Sequence, residues 1–137
     1  MTAILRKYGA SATINFDLFE VDGIDFRVDA VHASGDSAIM KDEGTEANTT
    51  NSFTDEGNGY SLVLTATEMQ AARIVIYLVD QTATKVWLDR AVIIETYGNA
   101  SAQHAFDLDT AVQLIDVDQI NGVPVIGAGT SGDKWRA

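Results

Sequence analysis

Apolar and polar residues alternate one for one along much of the first hundred positions. Ile14, Phe16 and Leu18 are interleaved with Thr13, Asn15 and Asp17, the pattern of a strand with one face buried and one face wet. Asp22-Gly23 interrupts the run, and Ile24, Phe26, Val28 and Ala30 then alternate with Asp25, Arg27 and Asp29. Because glycine enters the left-handed region without steric cost, this arrangement predicts a hairpin turned at Asp22-Gly23. After the turn Ala33-Ser34-Gly35-Asp36 comes the short apolar stretch Ala38-Ile39-Met40. Residues 42–59 are polar, with Asp42-Glu43-Gly44 echoed by Asp55-Glu56-Gly57, and only Phe53 reads as buried. That stretch predicts one or two edge strands joined by exposed turns.

Tyr60, Leu62 and Leu64 share one face of the next strand. Thr65-Ala66-Thr67-Glu68 fits a capping box, in which the Thr hydroxyl and the Glu carboxylate satisfy free backbone donors at a helix start. A short helix over about 66–72 is therefore expected, tucking Met69 against the core and carrying the chain from one sheet to another. Arg73 to Val79 is apolar on both faces and reads as a central strand. Lys85 to Tyr97, rich in β-branched and aromatic residues, reads as another. About seven short strands with turns between them predict an all-β fold, an antiparallel immunoglobulin-like β-sandwich over residues 1–97 with one short helix. Phe16, Phe26, Leu62, Leu64, Ile76 and Trp87 are its expected core.

Residues 98–137 read as a C-terminal arm. Gly98-Asn99 ends the last strand, residues 100–105 suit one helical turn, and Asn121-Gly122 between apolar runs is a strong hairpin signal. Pro124 removes a donor and belongs on an edge. Val112, Leu114, Ile115, Val117, Ile120, Val123, Val125 and Ile126 are too many apolar side chains to leave in water. The arm is therefore expected to cross a subunit boundary by strand addition, making a homo-oligomer. Leu114, Val117, Ile120, Val123, Val125, Ile126 and Trp135 are the interface candidates, with Trp135 as terminal anchor. The alternative is an arm that folds back on its own sandwich, since consecutive elements usually pack together.

Size and charge narrow the partners. A chain of 137 residues and 14.7 kDa makes one domain the default. With no Cys, disulfides and Cys-ligated zinc are excluded. The formal net charge of −11 repels phosphate backbones and anionic lipids, which disfavours nucleic acid and membrane surfaces as partners. Apolar runs such as Ile74 to Val79 fall far short of a membrane span. The opening residues, with Arg6-Lys7 after a brief apolar start, do not resemble a signal peptide, so a soluble product of the cytoplasm is expected.

Little in the sequence carries reaction chemistry. Neither Gly-x-Ser-x-Gly nor a phosphate-binding Gly-x-x-x-x-Gly-Lys-Ser/Thr occurs. His32, at a strand end, and His104, in the expected helical turn, read as structural or exposed rather than catalytic. No spacing of His and Glu supports zinc. Asp107 with Asp109, or Asp116 with Asp118, would put two carboxylates on one strand face, which could serve calcium binding or glycoside hydrolysis. With 20 acidic residues such spacings arise by chance, and none matches a calcium loop. The expectation is no catalytic residue, no cofactor, no metal and no hydrolase activity. Trp87 and Tyr60 read as packing, whereas Trp135, in a glycine-rich polar end, makes sense if it docks on something.

The stretch from Lys85-Val86-Trp87-Leu88-Asp89 through Ile94-Glu95-Thr96-Tyr97-Gly98-Asn99-Ala100-Ser101-Ala102-Gln103-His104-Ala105-Phe106-Asp107-Leu108-Asp109 resembles segments of structural proteins of tailed bacteriophages, described as tail or fibre components. Asn51-Ser52-Phe53-Thr54-Asp55-Glu56-Gly57 and Leu62-Val63-Leu64-Thr65-Ala66-Thr67-Glu68-Met69 are similar to the same family. The general layout also resembles the immunoglobulin-like N-terminal domain of phage upper-baseplate proteins. Together these cover residues 10–110. The resemblance implies a non-enzymatic virion protein that assembles on the particle, as capsid decoration, at the neck or in the tail and baseplate, with other virion proteins as partners. The alternative is a carbohydrate-binding, host-attachment module of a tail fibre, which would show a row of exposed aromatics on one sheet face.

Overall fold

The computed structural model describes residues 3–106, together with the backbone pairing of 119–120 and 123–124. Eight strands, β1 (Ile4–Lys7), β2 (Ala12–Phe16), β3 (Ser37–Lys41), β4 (Ala47–Asn48), β5 (Thr54–Asp55), β6 (Tyr60–Leu64), β7 (Arg73–Leu78) and β8 (Arg90–Tyr97), form two sheets. One has five strands in the order β1-β8-β7-β3-β4, and the other three in the order β2-β6-β5. Among the described residues the fold is all-β, and the two sheets face each other in the manner of a β-sandwich.

The alternation in the sequence sets which face is inside. Ile14 and Phe16 of β2 and Tyr60, Leu62 and Leu64 of β6 meet Ile39 of β3, Ile74, Ile76 and Leu78 of β7, and Val92 and Ile94 of β8 in one core. Each such side chain taken fully out of water contributes about 1.5–3 kcal/mol. Phe53 and Trp87 close one side of the core, with ring centroids 6.3 Å apart. Phe53 also lies edge-on to Phe16 at 5.7 Å and to Tyr60 at 5.3 Å. Five of the six expected core residues are buried; Phe26 is the exception at 42% exposed.

Phe26 is exposed because the second arm of the expected hairpin does not continue as a strand. The turn is there: Gly23 has φ of 75°, its N–H donates to the Glu20 carbonyl at 2.8 Å, and Phe19 pairs with Phe26. Beyond Arg27 the chain must leave the three-stranded sheet to begin β3 in the other, and no neighbouring strand accompanies it. The Tyr60 hydroxyl holds it instead, accepting from the Ala30 N–H at 3.0 Å and donating to the Arg27 carbonyl.

Further expectations are corrected. The sandwich is not wholly antiparallel, because β1 runs parallel to β8, pairing Ile4 with Ile94 and Lys7 with Tyr97. The chain leaves β1 through Gly9, at φ of 70°, and crosses to the other sheet to form β2. The capping box forms, Thr65 N–H to Glu68 Oε2 at 2.8 Å and Glu68 N–H to Thr65 Oγ1 at 3.1 Å, but no helix grows from it. One turn already spans the sheets: Met69 N–H reaches the Thr65 carbonyl at 3.0 Å, Met69 is fully buried, and the Asp42 carboxylate captures the N–H groups of Ala72 and Arg73. Lastly, Lys85 to Asp89 belongs to the loop before β8, and Trp87 reaches the core from that loop.

After β8 the chain turns at Gly98, whose φ is 81°. In place of the expected helical turn over 100–105 stands a single hydrogen-bonded turn, in which the Asn99 carbonyl accepts from the Ala102 N–H at 3.0 Å and Asn99 Oδ1 from the Ser101 N–H at 2.8 Å. His104 then pairs with Tyr97. Further on, β9 (Gln119–Ile120) and β10 (Val123–Pro124) pair antiparallel, on either side of Asn121-Gly122.

Candidate contact surface

The β2–β3 connection and the β7–β8 loop meet at one end of the sandwich. Their contact is made by backbone, with Glu20 pairing to Trp87 and the Leu88 N–H donating to the Phe19 carbonyl at 3.0 Å. Two buried carboxylates pin the loops. Asp36 accepts from the Ala33 N–H at 2.8 Å through one oxygen and from the Gln81 N–H at 3.0 Å through the other. Asp80 accepts from the Thr82 N–H and hydroxyl at 2.9 and 2.8 Å and from the Val86 N–H at 2.7 Å. Burial opposes the Asp80 charge, but these bonds and one from the Trp87 N–H together outweigh it and hold the carboxyl below its ordinary range.

Beside exposed polar residues such as Asp22, Asp25, Asp29 and Lys85, these loops present large apolar side chains. Val21, Ile24, Phe26, Val28 and Val31 on the first and Val86 and Leu88 on the second are all exposed, Ile24 at 77% and Val31 at 85%. Elsewhere only Val63 and Phe106 join them among the large exposed hydrophobics of the described residues. A hollow of about 420 Å³ lined by Val21, Lys85, Trp87, Leu88 and Asp89 lies among them, and Leu88 packs beside Gly23. Scattered single apolar residues on a surface are ordinary, but a concentration on two braced loops is the composition of a contact surface. Alternation points Ile24, Phe26 and Val28 inward, so the sequence hides the first loop's share of this surface.

The histidines hold structural places. His32 Nε2 lies 2.8 Å from Ser37 Oγ, and its ring stands edge-on to Phe53 at 4.8 Å. This is a serine–histidine contact that the sequence reading does not foresee. Ser37 is 1% exposed and its hydroxyl also contacts Thr49 Oγ1 at 2.6 Å, so no substrate carbonyl can reach it. Burial lowers the His32 pKa, partly offset by the nearby Asp36 charge. His104 Nε2 lies 3.1 Å from Glu95 Oε2 at the protein surface.

The described residues bring no three His, Asp or Glu together in a way that could hold a metal ion. Asp107, Asp109, Asp116 and Asp118 lie outside the described residues, as do the interface candidates Leu114, Val117, Val125, Ile126 and Trp135. Ile120 and Val123 are described only as backbone partners in the β9–β10 pair. No row of exposed aromatics lies on a sheet face among the described residues, Phe26 standing on the loop end and Phe106 against Tyr97. No family model, curated protein or solved structure matches the chain.

Proposed function

We propose that this chain is a non-enzymatic structural protein of a tailed-bacteriophage virion, an immunoglobulin-like module that assembles on the particle through contacts with its own copies and other virion proteins. The observation that carries the assembly role is the apolar surface on two loops braced by Asp36 and Asp80. Preorganised loops at one end of a sandwich are a common place for recognition, because the scaffold meets the ordering cost before the partner arrives. The immunoglobulin-like reading is supported by the strand order, which sets three strands, β2-β6-β5, against a larger sheet centred on β8, β7 and β3. In that reading the β2–β3 and β7–β8 loops occupy the end of the fold that carries binding loops in variable domains. The phage assignment rests on the sequence resemblance over residues 10–110. Immunogold labelling of purified particles with an antibody to this chain tests it. Label at a regular position on the particles is expected; protein found only in the soluble lysate, with bare particles, defeats it.

A further inference from the structure

The two sheets have four edges, and three of them are poor templates for another strand. β4 and β5 are two residues long, and β1 ends in Arg6-Lys7. β2 is different. It has β6 on one side and, among the described residues, no strand on the other. Its five residues, Ala12-Thr13-Ile14-Asn15-Phe16, include no charge and no proline, and they pair with β6 without a bulge. Natural sheets protect an open edge with charges, prolines or bulges, or keep it very short. β2 carries none of these protections.

Which backbone groups face the open side follows from β6. The Leu64 carbonyl accepts from Ser11 Oγ at 2.9 Å on the β2 side, and the Val63 carbonyl from Asn51 Nδ2 at 2.8 Å on the β5 side. Bonding residues alternate along an antiparallel ladder, so Leu64, Leu62 and Tyr60 bond their register partners Ala12, Ile14 and Phe16. Thr13 and Asn15 therefore turn their N–H and C=O groups away from β6, and both residues are exposed. Among the described residues nothing bonds to these four groups. Beyond Phe16 the edge closes, since Arg90 Nη1 lies 2.9 Å from Asp17 Oδ1 and the Leu88 N–H takes the Phe19 carbonyl.

We propose that β2 pairs antiparallel with β2 of a second copy, about a two-fold axis at Ile14, joining two three-stranded sheets into one of six strands. Thr13 then exchanges both backbone bonds with Asn15 of the second copy, and Asn15 does so with its Thr13, so all four open groups are met. On the core side Ala12 faces Phe16, small against large. On the wet side Thr13 faces Asn15, a pair of polar side chains within hydrogen-bonding reach of each other. Charge selects the place and the direction. The formal net charge of −11 sets two copies against each other over most of their surface, but not along an uncharged strand. In this register Asp17 stands opposite Ser11, and the two Asp17 carboxylates are six residues apart along the strands, about 20 Å. That is well past the screening length of about 8 Å, whereas a parallel pairing in register would set them side by side. The contact uses neither loop of the apolar end, so it does not depend on the role proposed for that end.

The test follows the full-length chain by sedimentation equilibrium and native mass spectrometry from micromolar to millimolar concentration, where the parent is expected to dimerise. Thr13→Lys with Asn15→Lys puts like charges directly opposite each other at two places, and Thr13→Glu with Asn15→Glu does the same. Each double variant should weaken the dimer about 2- to 30-fold. An equal mixture of the two should regain it, with mixed dimers above the half that chance gives, a rescue that misfolded variants would not show. Val21→Ser with Ile24→Ser should dimerise as the parent does. A parent that stays monomeric over the whole range would overturn the proposal. So would dimers that the charged variants leave unchanged, a mixture with no excess of mixed dimers, or a dimer lost in the Val21 and Ile24 variant, which would move the contact to the loop end.

Discussion

Replacing Asp80 by Asn removes a charge without changing shape. Its carboxylate, 3% exposed, takes hydrogen bonds from Thr82 and Val86 at 2.7 to 2.9 Å and so fixes the loop that carries Val86, Trp87 and Leu88. A hydrogen bond to a charged acceptor has a net worth of about 1.5–3 kcal/mol, and water reaching the exposed donors on this loop recovers part of that. Asp80→Ala, which removes every acceptor, should therefore cost about 2–4 kcal/mol, and Asp80→Asn, which keeps one oxygen, about 1–2 kcal/mol. The pH dependence follows from the direction of the shift. Since the folded chain holds the Asp80 proton less tightly than the unfolded chain, the unfolded state is protonated first as pH falls. The stabilisation is complete above the unfolded value of about 3.9 and disappears as pH drops through the folded one. Urea unfolding followed by circular dichroism at pH 7 and pH 3 measures both effects. Asp80→Asn should be less stable than the parent at pH 7, with the gap closing at pH 3. A loss below about 0.5 kcal/mol at pH 7, the scatter of ordinary surface changes, or an equal gap at both pH values would refute the reasoning.

Trp87→Ala should cost about 3–5 kcal/mol in the same assay, since Trp87 is 2% exposed and packs on Phe53, whereas Phe26→Ser should cost about 1–2 kcal/mol, because Phe26 is 42% exposed and only part of its surface leaves water. Equal costs at the two positions would place the chain around Asp22-Gly23 wrongly. His32, its pKa lowered by burial, should weaken the fold as pH drops below the unfolded value of about 6.5, where the unfolded chain gains the proton first; His32→Gln should flatten the stability profile between pH 7 and pH 5, and an unchanged profile would count against a buried neutral ring. The hydrolase expectation is tested by incubating the purified chain with host polysaccharide and peptidoglycan, where no cleavage should occur.

The core was legible because it obeys one rule. Ile14, Phe16, Leu62 and Leu64 each stand on the apolar side of a period-two pattern, and each is inside. The same rule misplaces Phe26 and Ile24, because alternation describes a segment that can lie in a sheet and says nothing about whether a second sheet covers it. The capping box was equally plain, yet its helix length was set by the distance between sheets and by Asp42, 30 residues away in sequence from Ala72. The loop surface was hidden for a related reason. It depends on Asp36 reaching Gln81 across 45 residues, and a carboxylate that bonds distant backbone donors leaves no mark in the sequence that separates it from a solvated one.

The central claim, that the chain assembles on a particle through its loop end, is tested most directly by competition for incorporation. Val21 and Ile24 are 51% and 77% exposed, so burying both in a contact contributes about 2–4 kcal/mol together, and Val21→Ser with Ile24→Ser should weaken it about 30- to 700-fold. Parent and double variant are expressed together during particle assembly, and their ratio is measured by mass spectrometry in the soluble pool and in purified particles. The account predicts equal amounts in the soluble pool, equal urea midpoints, and particles that contain the parent almost alone. Particles carrying the two chains in their soluble ratio, or carrying neither, would contradict it.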